Sequence, residues 1–149
     1  MMQRDDFKIS TRLRVRWAEA DMQGVVFNGH YLTYADIGTT EYFRAIKQIT
    51  DGATGAQGSD FFAVRTVLEY HAPALYDDLL DVHVRIIRLG NSSMQFQIGI
   101  YRGEELLTTG ELVYVYADLQ SRRPQPIPDA FRTAVKALEK TPPQDTAAK

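Results

Sequence analysis

The chain has 149 residues, of which 44% are apolar, 24% charged and 11% aromatic, the proportions of a folded globular protein. A formal net charge of -2, with no basic run interleaved with aromatics, argues against a nucleic-acid partner. The absence of cysteine excludes disulfides, thiolate nucleophiles and cysteine-bound metals.

No window approaches roughly 18 consecutive apolar residues, so no membrane span is expected. Met1 to Asp6 lead into no apolar stretch, so no signal peptide is expected either. A cysteine-free chain suits a reducing cytoplasm. One domain is expected over residues 1–149, with an ordered core over residues 6–138 and a flexible tail over residues 139–149.

In chain order, Leu13, Val15 and Trp17 alternate with Arg12, Arg14 and Arg16, which predicts a strand with one buried face. The alternation stops at Ala18-Glu19-Ala20-Asp21, and Gly24 marks a turn. Tyr31, Tyr34, Ala35, Gly38, Tyr42 and Ile46 then recur at helical spacing, predicting a helix over residues 28–47 with Asn28 as its N-cap. Gly38 inside it suggests close packing against another backbone. Residues 51–60 form a glycine-rich loop, the expected mobile segment.

Four strands are expected next, around Phe62 to Tyr70, Leu80 to Ile86, Met94 to Ile100 and Leu106 to Ala117. The links between them are short and favour antiparallel hairpins. His71 and His83 fall at exposed positions in this reading. After Pro124, Pro126 and Pro128, residues 129–138 read as a short helix. The result is an α+β domain, a sheet of about five strands covered by one long helix.

Familiar catalytic constellations are missing. There is no G-x-S-x-G and no H-E-x-x-H, and His30, His71 and His83 are too dispersed for a zinc signature, so no metal is expected. Gly52, Gly55 and Gly58 match no nucleotide fingerprint. What stands out is Asp21, a carboxylate just before a helix N-terminus. That terminus offers unpaired N–H groups and roughly half a positive charge, which suits an oxyanion. A nearby carboxylate can attack a carbonyl or activate water. Gly29, without a side chain, permits close approach of a ligand. An Asp near a Gly is also an ordinary turn residue.

At these residues the sequence resembles the 4-hydroxybenzoyl-CoA thioesterase family of hotdog-fold proteins, with its acyl-CoA members. The shared pattern is Asp21, Gly24, Val26, Phe27 and Tyr31. Further likenesses are residues 40–44, 70–78, 89–94 and 122–128. The resemblance spans residues 10–135 in the order of the predicted elements. It implies a five-stranded antiparallel sheet wrapped around one long helix, with a short C-terminal helix following. It also implies a homodimer, often paired again into a tetramer, with its sites at the subunit interface.

By the same resemblance, Asp21 is the catalytic nucleophile or general base in acyl-CoA hydrolysis. The N–H of Asn28 or Gly29 binds the thioester oxygen. Coenzyme A is part of the substrate, and no separate cofactor is implied. Many members carry His or Tyr where this chain has Asn28, and often Tyr where it has Phe27. Asn28 cannot serve as acid or base near neutral pH.

Phe27, His30 and Tyr31 border the same segment and are candidates to contact substrate; an interface or core role accounts for them as well. Arg85, Arg88, Arg122 and Arg123 are candidates for coenzyme A phosphates, or simply solvated strand residues. Ser92 and Ser93 can donate to the pantetheine arm or a phosphate, or merely suit a tight turn. Glu41 lies about 20 Å along the helix from Asn28 and is expected to pair with an Arg. Two other readings use the same groove. One is a non-catalytic acyl-CoA binding module. The other is an enoyl-thioester hydratase, whose usual His five residues after the Asp is Val26 here.

Overall fold

The computed structural model describes residues 2–50 and 58–147. Residues 51–57, most of the expected mobile loop, lie outside them. Strand β1 (Ile9–Arg14) is followed by helix α1 (Asn28–Thr50). Four long strands succeed it: β2 (Ser59–Tyr70), β3 (Leu79–Leu89), β4 (Ser93–Arg102) and β5 (Glu105–Asp118). Helix α2 (Asp129–Leu138) and a two-residue strand β6 (Gln144–Asp145) complete the chain. The sheet order is β1-β3-β4-β5-β2, all antiparallel, with β6 added in parallel to the end of β3. This is the expected hotdog architecture, one long helix held in a curled antiparallel sheet.

Period-two burial builds the inner face of the sheet. Leu80, Val82, Val84 and Ile86 of β3 and Met94, Phe96, Ile98 and Ile100 of β4 are all essentially inaccessible. Against them α1 lays Tyr31, Tyr34, Ala35, Tyr42 and Ile46. Helix and sheet approach most closely at Gly38. A Cβ placed there would lie 2.6 Å from a Val84 methyl and 2.7 Å from a Val82 methyl. On the outer side of α1, Glu41 pairs with Arg44 as expected.

Several sequence expectations are corrected. Trp17 does not continue the buried face of β1: the chain leaves the strand after Arg14, and Trp17 enters a one-turn helix, 76% exposed against Tyr76. The link from Pro73 to Asp78 makes no hairpin. Both neighbours of β3 are taken by β1 and β4, so the link crosses the ends of β5 and β4 instead. It is tied there by His71 and Ala72 N–H donating to the Leu107 carbonyl and by Arg102 donating to the Pro73 carbonyl.

His83 is buried rather than exposed. The N-terminal residues 2–7 cover the outer face of β3, with Phe7 and Tyr101 on either side of the imidazole and Arg4 donating to its Nε2 at 3.4 Å. Burial, then the Arg4 charge, hold its pKa below the usual value. Residues 139–147 fall in the expected flexible tail, and Glu139 and Pro143 are buried there while residues 140–142, 144 and 146 are exposed. Glu139 is 7% exposed and accepts from the Tyr42 hydroxyl at 2.5 Å and Ile86 N–H at 2.9 Å. Asp145 then pairs with Arg132 and Lys136, which fixes β6.

Alanine is the better helix former by about 1 kcal/mol, but overpacking a tight contact costs about 1–3 kcal/mol. Gly38→Ala is therefore expected to destabilise the fold despite its helix propensity. Val82→Ala should cost less in that background than in the wild type, because it removes one of the two clashing methyls. Denaturant midpoints of the four proteins check this, and an unshifted Gly38→Ala midpoint contradicts the contact.

Candidate functional site

The segment between β1 and α1 folds as a small hairpin. Phe27 N–H donates to the Glu19 carbonyl (3.0 Å), Ala20 bridges Val26, and Asp21 N–H donates to the Val25 carbonyl (2.8 Å). The turn is closed by Gly24 N–H on the Asp21 carbonyl (3.0 Å), with Gly24 at φ +81°, a conformation that glycine adopts without strain. One oxygen of the Asp21 side chain, Oδ1, accepts from Gln23 N–H (2.8 Å). The other has no hydrogen-bond partner among the described residues. The side chain is partly exposed.

The returning arm of this hairpin runs directly into α1. Asn28 is its first helical residue, so it sits one position inside the expected N-cap; Phe27 occupies that cap, its carbonyl accepting from His30 N–H (3.0 Å). The Asn28 side chain makes no cap bond. The N–H groups of Asn28 and Gly29 have no acceptor among the described residues, as the geometry of a helix start dictates. Gly29 faces the Phe27 ring: a Cβ there would meet it at 3.2 Å.

Beside the helix start lies a cleft of about 240 Å³ lined by Val25, Val26, Asn28, Tyr31, Tyr70 and Pro73, among others. The Tyr31 and Tyr70 rings meet edge-on at 5.1 Å, and the Tyr70 hydroxyl donates to the Asn28 carbonyl at 3.4 Å. Tyr31 is buried, and its hydroxyl accepts from Ala74 N–H at 3.0 Å. Burial raises its pKa, so the hydroxyl is neutral at ordinary pH. Phe27 and His30 stack edge-on at 6.1 Å on the exposed side. The cleft is thus lined by Asn28 and Tyr31 with Tyr70 added, and Phe27, Gly29 and His30 adjoin them in the chain. Asp21 lies on the hairpin opposite Val25 and is not one of the lining residues.

The structure does not bring Arg88, Ser92 and Ser93 there. Asp21 hangs beyond the end of β1, where Arg14 pairs with Leu79 at the start of β3. Arg88 is at the far end of β3, about 30 Å along the strand. There Arg88 donates to Ser93 Oγ at 3.3 Å, and Ser92 caps the turn through its carbonyl, which accepts from Tyr116 N–H. Arg85 is taken up by Gln97 and by the Phe7 ring, and Arg122 lies over the Phe62 ring.

Glu19 escapes sequence reasoning. It reads as a polar residue in a broken strand, yet it is 5% exposed. Its carboxylate accepts from Arg16 N–H (2.8 Å), Arg16 Nε (3.1 Å), Arg16 Nη2 (2.9 Å) and the Tyr34 hydroxyl (2.8 Å). Burial acts to raise its pKa. The Arg16 N–H, the Tyr34 hydroxyl and the Arg16 guanidinium outweigh burial and hold it below the usual carboxylate range. One signal for it exists: a tyrosine at the buried helical position 34 requires a hydrogen-bond partner.

The family model described as the thioesterase superfamily matches residues 23–109. Among curated proteins, the chain is 28% identical over 120 residues to an acyl-CoA thioester hydrolase, YbgC, of Escherichia coli O6:H1, covering 80% of this chain and 89% of that one. It is 24% identical over 134 residues to an acyl-CoA thioesterase of Haemophilus influenzae, covering 90% and 98%. Among solved structures, a thioesterase from Thermus thermophilus, complexed with coenzyme A and Zn, superposes with a TM-score of 0.78 at 30% identity, over 93% of this chain and 98% of that one.

The Tyr31 hydroxyl is the acceptor for a buried amide, and an orphaned buried donor costs about 1–3 kcal/mol. Tyr31→Phe is expected to lower the unfolding free energy by that order, read from denaturant titration, and to speed hydrogen exchange at the Ala74 amide. An Ala74 amide as protected as in the wild type contradicts the assignment.

Proposed function

Because this chain belongs to the thioesterase superfamily, we propose that it hydrolyses an acyl-CoA thioester to the free acid and coenzyme A. What supports the reading is that Asp21, one of whose carboxylate oxygens has no partner among the described residues, stands on the hairpin that runs into a helix start whose Asn28 and Gly29 N–H groups have no acceptor among the described residues. The thioester oxygen accepts from one of those N–H groups. The helix dipole adds to the stabilisation of the tetrahedral charge. Asp21 either attacks the carbonyl carbon, giving an acyl-enzyme anhydride that water cleaves, or takes a proton from the attacking water. In both routes the C–S bond breaks and the thiolate leaves. The names of the relatives from Escherichia coli and Haemophilus influenzae support this reaction.

The acyl group enters the cleft between Tyr31 and Tyr70, with Phe27 and His30 at its rim. The chain acts as one domain in a cytoplasmic setting, a reading supported by its lack of cysteine and by the absence, among the described residues, of a helix able to cross a membrane.

A second copy belongs to this reading. β2 is an edge strand twelve residues long, with Val64 60% and Tyr70 49% exposed, and an uncovered edge of that length invites pairing. β2 ends at Tyr70 beside the start of α1 and begins at Ser59 beside Asp118. Ser93 lies near that second end, paired with Val115 of β5. A two-fold antiparallel pairing of β2 with its copy therefore swings the end bearing Arg88, Ser92 and Ser93 toward the other copy's Asp21. Those residues then meet the nucleotide and pantetheine parts of a substrate whose acyl carbon is at Asp21. The dimer, or a pair of dimers, is the working form.

Two outcomes test this. Asp21→Asn retains the acceptor for Gln23 N–H but loses the charge, so turnover over an acyl-CoA panel, read with a thiol-reactive dye, should fall about 10²–10⁴-fold with the melting midpoint unchanged. Full activity in that variant removes the central claim, and tight binding without thiol release by the wild type favours the binding-module reading. Val64 is the residue left out of the β5 register between Ala63 and Arg65, so changing it spares that ladder. Val64→Glu should convert a dimer to a monomer in light scattering and abolish turnover together; an active monomer overturns the dimeric site.

A further inference from the structure

We infer that Glu19 is the positioning residue of this site: its buried carboxylate holds the Asp21 hairpin in register with the start of α1. This rests on the reading that Asp21 acts on a thioester.

Glu19 stands at the root of the hairpin, and three separate parts of the molecule converge on it. Its carbonyl anchors the returning arm through Phe27 N–H (3.0 Å). Its carboxylate holds the backbone and guanidinium of Arg16, which follows β1 by two residues and caps the one-turn helix that Glu19 closes. The same carboxylate reaches the second turn of α1 through the Tyr34 hydroxyl at 2.8 Å. Tyr34 is itself 1% exposed and packs edge-on against Tyr31 at 5.9 Å. Asp21 is two residues beyond this root, and the unacceptored N–H groups of Asn28 and Gly29 follow its other arm.

Stability alone is a poor reason for a carboxylate here. Withdrawing an ionised group from water costs several kcal/mol, and a well-packed apolar residue often serves as well. The Arg16 guanidinium is on the surface, its side chain 78% exposed, so its ion pair returns little. What an apolar residue cannot do is accept from a helix hydroxyl and the Arg16 amide at once. That double acceptance fixes the distance between hairpin and helix, and misplacing a reacting group by about 1 Å can cost 10²-fold in rate.

The test uses the full chain with Glu19→Gln, Tyr34→Phe and the double variant. An amide at position 19 keeps one acceptor oxygen but turns donors toward Arg16. We expect Glu19→Gln to lower kcat by at least about tenfold with KM within about threefold. Tyr34→Phe should lower it less, and the double variant no further than Glu19→Gln alone. Amide resonances of Gln23, Gly24 and Phe27 should shift in both single variants while those of α2 hold. A wild-type kcat in folded Glu19→Gln, or unmoved Gln23 and Gly24 resonances, overturns the inference. Should Glu19→Gln fail to fold, Tyr34→Phe decides by the same readouts. A wild type inactive on every thioester overturns the functional reading instead, and the amide shifts then decide the role of Glu19 by themselves.

Discussion

The contact on which the rest of the structure depends is the approach of α1 to β3 at Gly38, where two valine methyls fill the space a side chain would take. It brings the helix axis close to the sheet at one point, so the larger side chains on the same stripe must find room on either side of it. Tyr31 and Tyr34 do so toward the N-terminus, and Tyr42 toward the C-terminus, each at most 3% exposed. Apolar burial holds the rings, but each hydroxyl needs a partner in a dry environment. Tyr31 takes Ala74 N–H of the crossover link, Tyr34 the carboxylate of Glu19, and Tyr42 the carboxylate of Glu139. Three segments outside the main sheet are thereby fixed to one helix face. The helix is a core element and, through those hydroxyls, the reference frame for the loops around its start.

This explains which parts of the fold are legible from the chain alone. The strands β2 to β5 and both helices follow from hydrophobic period, which tertiary packing reinforces. The order of strands across the sheet does not. The link from Pro73 to Asp78 is short enough for a hairpin, and only the prior pairing of β3 with β1 and β4 forces it across the sheet ends. Periodicity also cannot see a second cover on a sheet. Asp81 and His83 alternate with valines as a wet face would, and they are buried because Arg4 and Phe7 lie over them. The tail is unreadable for a like reason. Glu139 carries no apolar signal, and its burial depends on a hydroxyl 97 positions earlier.

The site divides in the same way. Phe27, Asn28, Gly29, His30 and Tyr31 are close in sequence and, with Asp21 on the adjoining hairpin, belong to one local stretch of structure, a hairpin running into a helix start. Tyr70 is remote in sequence and reaches them only through the sheet. Arg88, Ser92 and Ser93 are grouped with Asp21 because their donors suit coenzyme A, and one chain holds them about 30 Å away along β3. In the proposed dimer strand polarity accounts for the mismatch, since residues at opposite ends of one copy become neighbours across the two-fold axis. On the proposed reading, chemistry and substrate arm are divided between copies, which no pattern within one sequence can express.

Glu19 and Asp21, two residues apart, show how environment separates chemical roles. Both are carboxylates in the same hairpin, and spacing alone ranks neither above the other. Glu19 accepts four hydrogen bonds, two from the Arg16 amide and the buried Tyr34 hydroxyl and two from the Arg16 guanidinium, so its lone pairs are committed and its pKa lies below the usual range. A carboxylate so held is a poor base and a poor nucleophile, since attack would break every one of those bonds. Asp21 spends one oxygen on the turn at Gln23, and its other oxygen has no hydrogen-bond partner among the described residues. On the proposed reading, making Asp21 as well paired as Glu19 would stabilise the hairpin and remove its reactivity, and releasing Glu19 would leave a reactive carboxylate with no fixed position. On that reading the first carboxylate supplies rigidity, and that leaves the second able to react.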